Sequence, residues 1–106
     1  MIDTGLDNSD IQKIQSVFKL YQEVEKAILY GSRAKGNFKP ASDIDLTLVG
    51  SGLNLTIQQK IENDLDDLLL PYKIDLSIQH TISNKELLEH IERIGVVLFQ
   101  KEIGNH

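Results

Sequence analysis

No cysteine occurs among the 106 residues. Disulfides and thiolate metal sites are thereby excluded, and a reducing interior is the natural setting. Long apolar runs are missing as well. The longest, Ala27–Tyr30 and Val96–Phe99, fall far below the roughly 20 residues that a membrane span needs. The opening Met-Ile-Asp-Thr-Gly has neither a basic n-region nor an apolar h-region, so no signal peptide is expected. An excess of positive charge is also absent. Eleven Lys+Arg against sixteen Asp+Glu leave a net charge of −5, which argues against direct binding to a nucleic-acid backbone. No repeat, low-complexity tract or Pro/Gly-rich linker divides the chain. The expectation is one soluble, cytoplasmic domain over residues 1–106, with no membrane contact.

What is present is ordinary for a globular domain. Hydrophobic residues make up 41% and charged residues 25%, and a chain of this length buries roughly 60–70% of its unfolded surface, enough for one core. Ile11, Ile14, Val17, Phe18 and Tyr21 recur at helical spacing, with Ser9-x-x-Gln12 as a candidate capping box. Val24 to Tyr30 suits a buried strand that Gly31 ends. Residues 31–40 read as a loop or short helix. Asp43 to Val49 then alternates, with Asp43, Asp45 and Thr47 on one face and Ile44, Leu46 and Leu48 on the other. Ile57, Ile61, Leu65, Leu68 and Leu69 form a helical stripe before Pro71, and Ile74, Leu76 and Ile78 mark a second alternating strand. Ser83-x-x-Glu86 is a candidate capping box for a helix carrying Leu87, Leu88, Ile91 and Ile94, with Gly95 as its stop and Val96–Phe99 as a short strand or helical tail. This order predicts an α/β (α+β) fold, a small mixed sheet with helices packed on it.

Aspartate is uncommon in strands because its short charged side chain prefers turns and caps. Here Asp43, Asp45 and Asp75 all fall in strand-like segments. The pleat points Asp43 and Asp45 to the same side. Carboxylates held that close repel unless a cation lies between them. Mg²⁺ or Mn²⁺ fits, being hard and bound through one or two carboxylates plus substrate phosphates. Should Asp75 lie in register on a neighbouring strand, three carboxylates converge and two metals become feasible. The plainer alternative makes Asp43 a strand cap and turns Asp45 and Asp75 to solvent.

The segment upstream favours the first reading. Arg33, Lys35 and Lys39 form a positive island without an acid in an acidic protein, directly after Gly31-Ser32. Glycine lets a backbone approach phosphate closely, and Ser32 offers both an N–H and a hydroxyl. A basic, glycine-bearing loop beside carboxylates is what a metal–nucleoside triphosphate needs. Gly31-x-x-x-x-Gly36 looks like the start of a P-loop, but Asn37-Phe38 follow instead of Lys-Ser/Thr, so a Walker-type NTPase is disfavoured.

Gly31-Ser32, ten intervening residues, Asp43-x-Asp45 and a later strand aspartate at Asp75 together resemble the DNA polymerase β-type nucleotidyltransferase superfamily. The stretch from Gly31 through Leu46 is similar to its minimal stand-alone members, the MNT-domain proteins encoded beside HEPN-domain toxins. The resemblance implies that Asp43 and Asp45 are ligands shared by two Mg²⁺ ions. It further implies that Asp75 helps hold the catalytic metal and takes the proton from an attacking hydroxyl. Gly31 and Ser32 would bind the β- and γ-phosphates of ATP, with Arg33 and Lys35 as candidates for neutralising pyrophosphate. The implied reaction is transfer of AMP to a hydroxyl, with a tyrosine of a partner HEPN ribonuclease as the expected acceptor, so that the protein is an antitoxin. Two alternatives stay open: a module that neutralises the toxin by binding alone, and a small-molecule nucleotidyltransferase of the antibiotic-modifying kind whose pocket a dimer mate or partner completes.

The remaining polar residues read as bland. His80, His90 and His106 share no ligand spacing. Asp64, Asp66 and Asp67 read as the wet side of a helix. Tyr30 is expected in the core, and Phe38 as the anchor of its own turn.

Overall fold

The computed structural model describes residues 3–102. Helix α1 (Asn8–Lys19) leads into strand β1 (Lys26–Tyr30), the short helical turn α2 (Ser32–Lys35) and strand β2 (Ile44–Val49). Helix α3 (Leu55–Asp66), strand β3 (Ile74–Ile78), a 3₁₀ turn at Gln79–Thr81, helix α4 (Lys85–Ile94) and strand β4 (Val96–Gln100) complete it. The sheet order is β3-β2-β1-β4. Strand β1 runs antiparallel to both β2 and β4, whereas β3 runs parallel to β2 with α3 as the crossover. The expected mixed sheet is therefore present, and Val96–Phe99 is strand rather than helical tail.

Two helix starts differ from the sequence expectation, α1 by two residues and α4 by one. Helix α1 begins at Asn8 after an extended Asp7, so Ser9 lies inside the first turn, where its backbone is already helical and it cannot cap. Helix α4 is capped by Asn84 and not Ser83: the Leu87 N–H donates to Asn84 Oδ1 at 3.1 Å. Asparagine caps at least as well as serine. In α3 the Ile57 N–H donates likewise to Asn54 Oδ1 at 2.9 Å.

Parity along each strand sorts side chains onto two faces. Ala27, Leu29, Ile44, Leu46, Leu48, Leu76 and Ile78 are buried together with Ile14, Val17 and Phe18 of α1 and Ile61 and Leu65 of α3. Phe18 meets Phe99 with ring centroids 5.7 Å apart. The helical stripe of α3 stops short of Leu69, which is 88% exposed and has φ 55°. That left-handed residue follows the end of α3 at Asp66 and swings its side chain out of the stripe. Ile91 of α4 is buried but stands outside the main cluster, because α4 packs on β1 from the opposite face. No helix among the described residues is long and apolar enough to cross a membrane.

Asp64 is not simply wet. The Tyr21 hydroxyl donates to Asp64 Oδ2 at 2.5 Å, tying the end of α1 to α3. That bond, then desolvation and the charges of Asp64 and Glu23, push the Tyr21 hydroxyl up to about 12 from 10.0. A phenol raised in the folded state contributes stability that is complete below its ordinary pKa and is lost as pH rises through the raised value. Alkaline titration of phenolate absorbance is expected to show a step near pH 12 that Tyr21→Phe removes. Persistence of that step in the variant would assign it elsewhere.

Candidate active site

Strand β1 ends at Tyr30, and the chain turns at Gly31 with φ 75° and ψ −155°. A β-carbon there would strike Asp45 Oδ2. Glycine is thus required twice, by its backbone conformation and by the carboxylate against it. Half-buried Ser32 then opens α2, which closes on Gly36 (φ 86°), whose N–H donates to the Ser32 carbonyl at 3.0 Å.

The strand register places the carboxylates. Asp45 pairs with Asp75 across the parallel β2–β3 ladder and with Tyr30 across the antiparallel β1–β2 ladder. Tyr30, Asp45 and Asp75 therefore form one row on the face opposite the core. The next row holds Ile28, Thr47 and Ser77, where the Ser77 hydroxyl donates to Thr47 Oγ1 at 2.9 Å. Exposed Asp43 immediately precedes β2 and lies on the side of Asp45. Burial raises the Asp45 carboxyl above its usual 3.8, the charges of Asp75 and Asp43 raise it further, and His90 opposes them. Among the described residues no three His, Cys, Asp or Glu side chains converge into a ready-made metal group. Asp45 and Asp75 are an in-register pair, and Asp43 stands near enough for its charge to act on Asp45.

Tyr30 is on this polar face and not in the core. Its hydroxyl is raised by desolvation, lowered by a hydrogen bond with Ser77, and raised again by Asp45 and Asp75. Alternation places Leu29, not Tyr30, in the core.

Arg33 departs furthest from the sequence reading. It is 1% exposed, and its guanidinium donates to the carbonyls of Thr4 at 2.8 Å, Pro40 at 3.2 Å and Ser42 at 3.0 Å. It is also sandwiched between Phe38 and Tyr72, 5.2 Å and 4.8 Å from their ring centroids. A cation so enclosed is spent on backbone and rings and is not free to meet a phosphate. Lys35, by contrast, is exposed. Half-buried Phe38 lies against the Arg33 guanidinium and beside Gly5.

His90 is the site residue that sequence reasoning missed. The Gly31 N–H donates to His90 Nε2 at 3.2 Å, and the imidazole meets the Tyr30 ring edge-on, 6.2 Å between centroids. The signal was there. Leu87, His90, Ile91 and Ile94 follow helical spacing, so the histidine interrupts the inward stripe of α4. His80 is exposed outside this row, and His106 lies outside the described residues. A hollow of about 550 Å³ between the end of α1 and β4, lined by Phe18, Tyr21, Val97 and Phe99 among others, holds none of these carboxylates. The charged chemistry sits on the sheet face.

The family described as polymerase beta, nucleotidyltransferase matches residues 12–103, a span that holds the Gly31-Ser32 turn and all three aspartates. The chain belongs to this family. The Haemophilus influenzae protein named Probable protein adenylyltransferase MntA is 28% identical over 74 residues, covering 69% of this chain. The match spans 64% of that curated relative's length. In fold, the chain is similar to a toxin–antitoxin complex crystallised with AMP-PNP, with TM-score 0.68 and 19% identity over 92% of this chain and 76% of that one. It is similar also to a chain of the complex of tri-AMPylated Shewanella oneidensis HEPN toxin with MNT antitoxin, with TM-score 0.67 and 16% identity over 91% of this chain and 74% of that one. At such identities the likeness establishes the polymerase β-like nucleotidyltransferase fold.

Proposed function

We propose that this nucleotidyltransferase moves AMP from ATP to a hydroxyl, with a tyrosine of a partner HEPN ribonuclease toxin as acceptor, and so acts as an antitoxin. The observation that carries the reading is the Asp45–Asp75 register pair beneath Gly31-Ser32. The acceptor and the partner are inferred from the adenylyltransferase name of the Haemophilus relative and from the AMPylated toxin in the Shewanella complex. The same reading places the protein in the cytoplasm, acting on a protein and on neither nucleic acid nor membrane.

The donor set fits a divalent cation. It is all oxygen, and burial together with the charges of Asp75 and Asp43 disfavours the ionised Asp45, which a hard cation offsets. Asp43 and Asp45, joined by Asp75, would hold two Mg²⁺ ions, which supply charge neutralisation on the triphosphate and activation of the entering oxygen. Ser32, with the turn that Gly31 makes, meets the β- and γ-phosphates through its N–H and hydroxyl, and exposed Lys35 adds positive charge beside them. Asp75 accepts the proton of the attacking hydroxyl. The entering oxygen attacks the α-phosphorus, the bond to the β-phosphate oxygen breaks, and pyrophosphate leaves.

Incubation with Mg²⁺, ATP labelled on its α-phosphate and the neighbouring gene product tests this directly. Label is expected on a tyrosine of that protein with wild-type enzyme and not with Asp43→Asn/Asp45→Asn. Neutralisation that survives the double substitution would mean that binding alone silences the toxin. Label on a small molecule and on no protein would mean a different acceptor class.

A further inference from the structure

Helix α4 reaches the Gly31 turn through one side chain. The Gly31 peptide is held from two sides, with Asp45 Oδ2 against its α-carbon and His90 Nε2 on its N–H. Tyr30 stands edge-on to the imidazole and restricts its rotation. An unbraced glycine visits both signs of φ about equally, so the single conformation of Gly31 needs partners that select it. Because Ser32 follows directly, the orientation of the Gly31 peptide decides where the Ser32 N–H and hydroxyl point.

We propose that His90 is a positioning residue for nucleotide binding: through its hydrogen bond to the Gly31 N–H it locks the turn that presents Ser32 to the phosphates. The assignment rests on the adenylyl-transfer reading above. It makes α4 a working part of the site, and it assigns Gly31 a braced backbone in place of a free phosphate donor. Groups that hold the β- and γ-phosphates act before and during the transfer alike, so loosening them raises KM and leaves kcat nearly unchanged.

Two substitutions separate the hydrogen bond from the packing. His90→Gln keeps an acceptor for the Gly31 N–H, while His90→Phe keeps a ring against Tyr30 and has none. Affinity for α,β-methylene-ATP with Mg²⁺ is to be measured by calorimetry, and exchange of the Gly31 amide by nitrogen-edited NMR in nucleotide-free protein. His90→Phe is expected to weaken binding roughly 3- to 10-fold, the value of one net hydrogen bond, and to speed Gly31 exchange. In the transfer reaction the same change should appear in KM. His90→Gln is expected to restore slow exchange and affinity to within about twofold.

Equal affinity in all three proteins would overturn the proposal, as would tighter binding by His90→Phe, which would make His90 a competitor of the phosphate. A wild-type Gly31 amide that exchanges at the free rate would overturn it even where a variant fails to fold. Wild-type protein without affinity for the analogue overturns the transfer reading and this one together. Wild-type binding that both variants match overturns this one alone.

Discussion

Asp45→Asn is expected to make the metal-free protein more heat-stable while reducing adenylyl transfer by on the order of 10³-fold or more. Burial holds the Asp45 carboxyl above its ordinary value, followed by the charges of Asp75 and Asp43. A carboxyl raised in the folded state contributes stability below its ordinary pKa of 3.8 and loses that contribution as pH climbs through the raised value. At neutral pH the ionised group is therefore a net cost, and the near-isosteric amide removes it. The gain is modest, because a half-exposed carboxylate is screened by water: about 0.5 kcal/mol, a rise of roughly 2–4 °C in a domain of this size. Activity falls far more, since a lost cation ligand removes several kcal/mol of transition-state stabilisation. Thermal melts in EDTA at pH 7 should rank the variant above wild type, and the gap should close towards pH 4. Adding Mg²⁺ should then raise the wild-type midpoint and leave the variant where it is. A variant that melts lower in EDTA at pH 7 would mean that the protein already satisfies this carboxylate.

The second large effect belongs to Arg33. Its guanidinium joins the carbonyls of Thr4, Pro40 and Ser42, and two aromatic faces enclose it. Arg33→Ala leaves those carbonyls unpaired and a void between Phe38 and Tyr72, at a cost of about 3–5 kcal/mol. Against a total stability of about 5–15 kcal/mol, that is a large share. Arg33→Lys is expected to recover little, because a single ammonium can neither span the carbonyls nor stack between the rings. Urea midpoints for the two variants check this. Unchanged midpoints accompanied by weakened nucleotide affinity would return Arg33 to the role of phosphate ligand.

These two residues show where sequence reasoning was strong and where it stopped. Asp45 was legible because the alternation of Asp43 to Val49 is a local property, set by the pleat and by residues two apart. The burial of Arg33 was not legible, because charge is visible in a sequence and burial is not. A +3 loop reads as an anion site until three backbone carbonyls and two rings are found around one of its cations. Tyr30 was misplaced for a similar reason. It closes an apolar run, and only the pairing of β1 with β2 shows that Leu29 faces the core and Tyr30 the carboxylates.

By itself the sequence determined the succession of elements, the turn at Gly31-Ser32 and the shared face of Asp43 and Asp45, since each follows from periodicity or backbone freedom over a few residues. The tertiary structure alone decided that Asp75 lies beside Asp45, that His90 holds the Gly31 amide and that Arg33 is sealed inside. Those contacts join parts of the chain that local patterns leave independent. They exist only because strand register and helix packing, driven by burial of the opposite face of the sheet, bring them together.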